Sequence, residues 1–422
     1  MPDKHEKLFF WIATILTSCL LWVQLLFFGP QYELDTQFYL TGALHWDVQH
    51  PPLFGFWVSS CYHILPSIYL PLILQIGIFS YSYNFLVFNS LKENYLRFSS
   101  SILLGIEPIS SYFHVSLLPE SLLLSCFCVL YCNIRKSNWL LSGLVLAIAV
   151  GIKFQSLWLL PGILIIIYFQ KNKLLALLEI CLPTAIFLMA LGIGNQVRFG
   201  GKLFNNAGGL LFPHTSYFYS DIYADSALQQ LIRPSLPIPQ DVYQRYELYL
   251  ELHERAQIDS SMFNPKYFIK LENKITQYNI KVLIDKPLRL WWQIVKTNLS
   301  EFLWGNYLIY SNFSRLRKPL MPKFVALDEL MFSLYHYKID YRTVPIWWEK
   351  IPNKYIWLLG CLLLLLLSLS GKTPSNYVLY LVGSYFFILM GTVFFYKTRF
   401  LVPIIPLILI GNLHLVKSRR IP

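Results

Sequence analysis

Acidic and histidine side chains gather in one short polar stretch, between the first hydrophobic segment of the chain and the second. Glu33 and Asp35 open this stretch, and His50 ends it directly before the rigid pair Pro51-Pro52. A carboxylate can remove a proton from an attacking hydroxyl, and a histidine can exchange a proton near neutral pH. Ionisable groups next to a membrane are costly unless they have a function. This stretch is therefore the first candidate for an active site.

Three further charged residues lie in short turns between later hydrophobic segments. Glu120 follows a proline at the start of one segment, Lys153 lies between two apolar runs, and Arg399 precedes the last run. Cations of this kind could hold a phosphate, because charge-assisted hydrogen bonds to phosphate oxygens are strong. Lys153, Arg399 and Glu120 are therefore candidate substrate-binding residues, together with His50.

The composition determines the class of protein that must position these residues. Of the 422 residues, 55% are hydrophobic and only 14% are charged, and the mean hydropathy is +0.46. Such a chain is not an ordinary soluble protein. Backbone polar groups inside lipid must be satisfied within the chain, and long apolar runs do this as helices. We therefore expect an all-α polytopic membrane protein in contact with a lipid bilayer.

The hydrophobic runs predict about ten membrane-spanning helices. A hydrocarbon core about 30 Å thick needs roughly 20 apolar residues per helix, so the shorter runs must tilt or continue into the residues that flank them. No small-residue cleavage site follows the first run, which we expect to be retained as a helix. The predicted spans are Leu8–Phe28, Pro66–Leu91, Phe98–Val115, Pro119–Ile134, Trp139–Gly151, Gln155–Phe169, Leu174–Gly194, Tyr355–Ser370, Asn376–Phe395 and Phe400–Val416.

Basic residues orient these spans. With the N-terminus in the cytoplasm, most lysines and arginines of the short loops lie on the inner side, as the positive-inside rule requires. We expect a multi-pass protein of a bacterial inner membrane with both termini in the cytoplasm. The net charge of +12 then reflects topology and attraction to anionic lipid, not nucleic-acid binding. The inner cations are Lys4, Lys7, Lys92, Arg97, Arg135, Lys136, Lys171, Lys173, Lys372, Lys417, Arg419 and Arg420.

The same topology divides the chain into three parts. Residues 1–194 form an N-terminal transmembrane module with an amphipathic first outer loop at 29–57. Residues 195–354 form one long outer segment rich in tyrosine, proline and charge, where we expect acceptor recognition. Residues 355–422 form the C-terminal transmembrane helices.

All of the candidate residues fall on the outer side in this arrangement. The first outer loop carries the candidate acids Glu33 and Asp35, one turn carries Glu120, and two further turns carry the candidate cations Lys153 and Arg399. Carboxylates and cations that converge on one face of a bundle are suited to a phosphorylated, lipid-linked substrate.

Five motifs, taken in chain order, resemble the C-type glycosyltransferases, in the branch that contains the protein O-mannosyltransferases and lipid A aminoarabinose transferase. The resemblance covers most of the chain. Two departures stand out: the family has an adjacent Asp-Glu pair where Glu33 and Asp35 are separated by a leucine, and it has aspartate where this chain has Glu120. The motifs are His50-Pro51-Pro52-Leu53, Leu118-Pro119-Glu120-Ser121, Gly151-Ile152-Lys153-Phe154 with Pro161, Asn195 to Gly201, and Arg399-Phe400 with Pro403 and Pro406.

The resemblance implies a fold and a reaction. The fold is that of the C-type glycosyltransferases, and the reaction is an inverting transfer of a sugar from a polyprenyl-phosphate donor to an acceptor on the outer side. The acceptor is a glycan, a lipid or a protein. The general base is Asp35 or Glu33, with Asp35 preferred because Phe38-Tyr39 follows it. A divalent metal could assist, although the residues show no zinc-type ligand spacing.

Simpler interpretations of these residues stay open. Asp35 or Glu33 could only cap an interfacial helix, and Lys153 and Arg399 could only extend towards lipid headgroups. His50 could only shape the turn before the prolines. The alternative function is a lipid or polysaccharide transporter without transferase chemistry, although the sequence lacks the internal repeat that is typical of transporters. The seven cysteines are expected to be packed thiols that form no disulfide.

Overall fold

In the computed structural model the described part of the chain is almost entirely helical. It comprises residues 4–28, 30, 51–106, 113–199, 373–392 and 402–418, with four single positions between 288 and 296. Ten α-helices lie in the five continuous ranges: α1 Lys4–Phe28, α2 Pro52–Ile64, α3 Tyr69–Ser90, α4 Asn94–Ile106, α5 Glu120–Arg135, α6 Trp139–Ile152, α7 Leu160–Tyr168, α8 Lys173–Phe199, α9 Thr373–Thr392 and α10 Ile405–Ser418. Short 3-10 helices at Phe154–Leu159 and Val402–Ile404 lead into α7 and α10.

Three of these helices are long and apolar enough to cross a membrane. They are Lys4–Leu26, Tyr69–Ser90 and Lys173–Val197, and shorter apolar helices lie at Trp139–Ile152, Phe154–Tyr168 and Tyr377–Ile388. The expectation of a helical membrane protein is confirmed to this extent. The count of ten spans stays a prediction, and the span at Tyr355–Ser370 lies outside the described residues.

Two local details differ from the predicted spans. Helix α2 was not predicted, because its 13 residues are too few to cross a bilayer. Proline at its first position fixes a backbone angle that suits a helix start. In the third predicted span, Phe98–Val115, residues 107–112 lie outside the described residues, so its end stays a prediction. The sixth predicted span begins as a 3-10 helix and becomes α7 only at Leu160.

The bundle has a central helix and a peripheral one. The most apolar stretch of α3 is 61% buried, whereas that of α8 is only 22% buried. Helix α3 packs against α1 and α5, and α8 packs mainly against α6. The α6–α8 contact is close because a Cβ atom at Gly143 would lie 2.5 Å from the Glu179 carbonyl oxygen. Most of the α8 surface thus remains for lipid.

A buried polar network joins α1, α3 and α4 in the apolar interior. The Asn84 amide donates to the hydroxyl of Thr17 (3.2 Å), and the Ser101 hydroxyl donates to the Asn84 side-chain oxygen (2.6 Å). All three side chains have no exposed surface. Hydrogen bonds of this kind fix the relative positions of membrane helices. They hold α1 on the bundle.

Two ion pairs of the described residues lie at different ends of the bundle. One end, called the Glu120 end, comprises the starts of α2 and α5 and the end of α6. The other, called the Arg97 end, comprises the starts of α1 and α4 and the ends of α3 and α5. The Arg135 guanidinium, at the end of α5, donates to the Ser90 hydroxyl at the end of α3 (3.1 Å). The two ends correspond to the predicted outer and inner sides, although which of them faces the cytoplasm stays a prediction.

Candidate active site

A buried ion pair lies at the Glu120 end. The Lys153 ammonium donates to Oε1 of Glu120 over 2.5 Å. The Glu120 side chain is 1% exposed and that of Lys153 is 14% exposed. Two residues that are 33 positions apart in the sequence are therefore brought into direct contact inside a low-dielectric bundle. The Lys153 ammonium therefore contacts a carboxylate within the protein. In the simpler interpretation, this ammonium extends towards lipid headgroups.

The local backbone places each partner. Glu120 is the first residue of α5, directly after Pro119, so its carboxylate lies near the positive end of the helix dipole. Helix α6 ends at Ile152, and Lys153 takes an extended conformation with φ −157° and ψ 124° while its N–H bonds to the Ala149 carbonyl. This break in the helix separates α6 from the following 3-10 helix, and the lysine lies at the junction.

The start of α2 packs against the end of α6, close in sequence to Lys153. A Cβ atom at Gly151 would contact the side chains of Leu53 and Phe187. Leu53 follows Pro51 and Pro52, which are both buried, and Gly151 lies two residues before Lys153. The structure therefore brings the first and third of the sequence motifs to one place. His50 lies just outside the described residues.

Aromatic side chains pack together on the two elements that carry the pair. The ring of Tyr385, on α9, makes edge-to-face contacts with Trp158 (5.2 Å between centroids) and Phe127 (5.9 Å). Trp158 belongs to the 3-10 helix that follows Lys153, and Phe127 lies about two turns beyond Glu120 on α5. Tyr385 is 1% exposed. These rings join α9 to the two elements that carry Glu120 and Lys153.

A second buried chain of hydrogen bonds supports the turn before α5. The Gln75 amide donates to the carbonyls of His114 (2.9 Å) and Ser116 (3.0 Å). The His114 ring lies 2.7 Å from the Ser121 hydroxyl through Nδ1 and stacks on Phe79 at 3.8 Å between centroids. These bonds fix the segment 113–119 and, with it, the start of α5 that presents Glu120.

Several polar atoms around the pair lack a hydrogen-bond partner among the described residues. Native proteins pair most buried polar atoms, so each exception needs a reason. The carboxylate oxygen Oε2 of Glu120 is the most important of these atoms, because an unsatisfied buried charge costs more free energy than an unsatisfied neutral group. The atoms are Glu120 Oε2, His114 Nε2, Gln75 Oε1, Gln155 Oε1 and Trp158 Nε1.

The six predicted site residues fall into two groups. The structure brings Glu120 and Lys153 together. The predicted bases Asp35 and Glu33, with His50 and Arg399, lie outside the described residues, so their positions and roles stay predictions.

Sequence reasoning missed three residues of this site: Tyr385, His114 and Gln75. Tyr385 is one tyrosine among 28, within an apolar run, and nothing in its spacing sets it apart. His114 precedes Glu120 by only six positions, which is the one signal that could have pointed to it. Gln75 lies within α3, and a glutamine in an apolar span is a weak sign of a buried hydrogen bond.

The described residues contain no candidate metal site and no candidate nucleophilic thiol. These residues contain no group of three or more histidine, cysteine, aspartate and glutamate side chains that could hold a metal ion.

Six cysteines lie in this part of the chain, and all are free thiols. Cys61, on α2 near the site, is buried, and burial raises the pKa of its thiol. Little thiolate forms at neutral pH, so Cys61 is not a candidate nucleophile.

Comparison of the chain with protein-family models, curated proteins and solved structures finds no match. The resemblance to C-type glycosyltransferases thus depends on the five motifs alone.

Proposed function

We propose that this protein is a membrane glycosyltransferase. It would move a sugar from a polyprenyl-phosphate donor to an acceptor on the outer side of a bacterial inner membrane, with inversion at the anomeric carbon. Two kinds of support exist: the order of the sequence motifs, and the buried contact between Lys153 and Glu120 at one end of a helical membrane protein.

The observation that carries the proposal is this buried ion pair with one unsatisfied oxygen. Burying two charges costs several kcal/mol per ion, and apolar residues of similar size often stabilise a protein as well or better. Stability is thus a weak reason to keep Glu120 and Lys153 inside the bundle. A substrate phosphate supplies a stronger one, because it needs a cation in a site that is closed to water.

The proposed reaction has three parts. The carboxylate of Asp35, or alternatively of Glu33, takes the proton of the acceptor hydroxyl while its oxygen attacks the anomeric carbon. The bond between that carbon and the phosphate oxygen breaks, and its electron pair leaves with the polyprenyl phosphate. Lys153, together with Arg399, offsets the charge that grows on this phosphate. The products are the glycosylated acceptor and polyprenyl phosphate.

The acid at Glu120 has a separate role in this scheme. Before the donor binds, its carboxylate holds the Lys153 ammonium in the bundle and compensates its charge. When the phosphate arrives, the ammonium has an anion on each side. Glu120 therefore orients Lys153 for the phosphate and is not itself the base.

A transfer assay in detergent tests the proposal. Purified protein receives a radiolabelled polyprenyl-phosphate sugar and a panel of glycan, lipid and protein acceptors, with and without divalent metal. We expect label on an acceptor and release of polyprenyl phosphate, since the chemistry needs only the assembled site. Asp35→Asn should lower turnover by about 10²-fold or more, which is typical for loss of a general base.

Two outcomes would decide against parts of this scheme. Normal turnover in Asp35→Asn, with an inactive Glu33→Gln protein, would transfer the role of base to Glu33. Donor binding without any release of polyprenyl phosphate across the whole panel would contradict the enzyme and favour the transporter, because a transporter has no compartment to move its substrate across in detergent.

A further inference from the structure

A group of aromatic rings, here called the aromatic patch, lies on α1 and α3 near the Arg97 end. It comprises Phe10, Trp11, Tyr81, Phe85 and Phe88. Phe10 makes edge-to-face contacts with Tyr81 (5.5 Å between ring centroids) and with Phe88 (5.3 Å). The centroid of the Tyr81 ring also lies 6.0 Å from that of Trp11 and 6.5 Å from that of Phe85. The five rings therefore form one continuous surface across two helices.

The aromatic patch faces outwards from the bundle. Trp11 is 53% exposed and Tyr81 is 45% exposed, whereas Tyr83, two residues along the same helix, has no exposed surface. Single exposed apolar side chains need no explanation, but a contiguous patch of them indicates a partner. Tryptophan and tyrosine are also enriched where a bilayer meets water. The chemistry of this surface therefore fits a lipid.

The aromatic patch lies within one leaflet of the bilayer. Helix α3 is long enough to cross a membrane and ends at Ser90, so this end lies near the lipid headgroups. A rise of about 1.5 Å per residue places Phe88 about 3 Å and Tyr81 about 14 Å before the end of the helix. One leaflet contributes roughly half of a hydrocarbon core that is about 30 Å thick. The patch thus extends from the headgroup layer into the region of the acyl chains.

A cation lies at the headgroup side of the aromatic patch. Lys136 follows the last residue of α5, and its ammonium lies 5.1 Å from the centre of the Phe85 ring. The residue is exposed, and its ammonium forms no ion pair with any of the described residues. The face of an aromatic ring attracts a cation without neutralising its charge. Lys136 thus retains a positive charge that an anionic ligand can pair with.

The order of these groups along the membrane normal matches the order of groups in a phospholipid. The charge of Lys136 comes first, the Phe85 ring lies beneath it, and Tyr81 lies one helical turn, or about 6 Å, deeper. The neighbouring Arg135 adds a second positive charge at the same helix end. A headgroup with a net negative charge is favoured here over a zwitterionic one, because the ammonium of a zwitterionic headgroup would be repelled by these cations.

We propose that the aromatic patch and Lys136 together bind one phospholipid of the bilayer with an anionic headgroup. The phosphate of this lipid contacts the Lys136 ammonium, and one acyl chain lies along Tyr81 and Trp11. The site is at the opposite end of the bundle from the Glu120–Lys153 pair and does not depend on the proposed function. It gives the protein a bound bilayer lipid across α1, α3 and the end of α5.

Native mass spectrometry of the full-length protein tests the proposal, with phosphatidylglycerol as the anionic lipid and phosphatidylcholine as the zwitterionic one. In Lys136→Gln, the dissociation constant of phosphatidylglycerol should rise about fivefold, as expected for loss of one lysine that contacts an anionic headgroup. The dissociation constant of phosphatidylcholine should change by less than about twofold. The thermal unfolding midpoint should stay the same, because the substituted side chain is exposed.

Lys173→Gln is the matched control. The Lys173 ammonium also lies over an aromatic ring, 4.2 Å from the centre of Tyr168, but this ring is not part of the aromatic patch. The substitution removes the same charge, and the dissociation constant of phosphatidylglycerol should change by less than about twofold because the proposed site stays intact.

Tyr81→Leu tests the acyl-chain part of the site. It should weaken the binding of phosphatidylglycerol and phosphatidylcholine by the same factor, roughly two- to threefold, because it changes the contact with the chain and not the contact with the headgroup. Weaker binding of phosphatidylglycerol alone would contradict this placement of the chain.

Other outcomes would overturn the proposal as a whole. An unchanged dissociation constant in Lys136→Gln would remove the cation from the site. Equal losses of phosphatidylglycerol binding in Lys136→Gln and Lys173→Gln would indicate attraction by total charge without a defined site. Equal wild-type dissociation constants for the two lipids would remove the anionic preference. Lys136-dependent binding of polyprenyl phosphate that is tighter than that of phosphatidylglycerol would assign the patch to the donor, and a stable dimer that binds no phosphatidylglycerol would assign it to a second copy of the chain.

Discussion

Two ion pairs lie at opposite ends of the helix bundle, and they differ in how completely their charged groups are satisfied. At the Arg97 end, the Arg97 guanidinium lies 3.1 Å from Glu6, and the two side chains are 7% and 46% exposed. At the Glu120 end, the Lys153 and Glu120 side chains are 14% and 1% exposed. The first pair is open to water on its acidic side, whereas the second is enclosed.

Arg97 is extensively hydrogen-bonded. Besides Glu6, it donates to the carbonyls of Leu91 (2.9 Å) and Phe88 (3.3 Å) and to the Asn94 side chain (3.2 Å). Its guanidinium also lies 4.6 Å from the centre of the Phe88 ring. A cation that binds the last carbonyls of a helix completes hydrogen bonds that the helix itself cannot make. Arg97 thus joins the end of α3 to the start of α4 as a structural element.

Glu120 presents the opposite case. One of its oxygens contacts Lys153, and the other has no partner among the described residues. A structural ion pair is expected to be complete without a ligand, as at Arg97, whereas a binding site leaves polar atoms for its ligand. The contrast is consistent with a structural role for Arg97 and with the proposed binding role of the Glu120–Lys153 pair.

Loss of Lys153 should have the largest effect. Lys153→Met leaves Glu120 as a buried charge without its cation, and breaking such a pair costs about 3–5 kcal/mol. The thermal unfolding midpoint in detergent should therefore fall steeply, and transfer activity should be lost because the phosphate loses Lys153, one of its two proposed cations.

A double variant separates these two effects of Lys153→Met. Adding Glu120→Gln removes the uncompensated charge, so most of the lost stability should return while transfer stays absent. Recovery of transfer together with stability would show that the pair has only a structural role.

Arg97→Gln should have the next largest effect, and on stability alone. Each hydrogen bond from a charged donor contributes about 1.5–3 kcal/mol, and because such bonds are not additive we expect a total loss of roughly 2–4 kcal/mol. The unfolding midpoint should fall, while the turnover number per folded molecule should stay within about twofold. A specific loss of turnover in molecules that remain folded would remove the distinction between the two ends.

Glu6→Gln should have the smallest effect. The carboxylate is nearly half exposed, and ion pairs of this kind contribute only about 0.2–1 kcal/mol. The midpoint should change little, and the small change should disappear at high salt because salt screens exposed charges. A midpoint decrease as large as that of Arg97→Gln would mean that the ion pair, and not the carbonyl contacts, holds Arg97.

The sequence predicts the helical class and several helices well, because long apolar runs leave the backbone little choice in lipid. Glu120–Arg135 and Trp139–Ile152 each begin within one residue of the predicted span. Helix α2 was missed because its 13 residues give no spanning signal. The break after α6 was predicted, but the 3-10 geometry of Phe154–Leu159 was not, because hydropathy gives no information on the hydrogen-bond pattern of a span.

The site was only partly predictable for a physical reason. Glu120 and Lys153 stand out in the sequence because charged residues are rare in an apolar chain. They can therefore be selected as candidates without knowing how the helices pack. Their mutual contact depends on how α5 and α6 pack, which the sequence does not state. Tyr385 is still less predictable, because its contacts with Phe127 and Trp158 result from the packing of a helix more than 200 residues further along the chain.

A cryo-electron microscopy structure of the protein in nanodiscs with polyprenyl phosphate tests the central claim most directly, because it shows which end of the bundle binds the phosphate. We expect phosphate density within hydrogen-bond distance of the Lys153 Nζ atom at the Glu120 end. Density at the Arg97 end instead, or a Glu120–Lys153 pair that stays closed while lipid phosphate is bound elsewhere, would contradict the account.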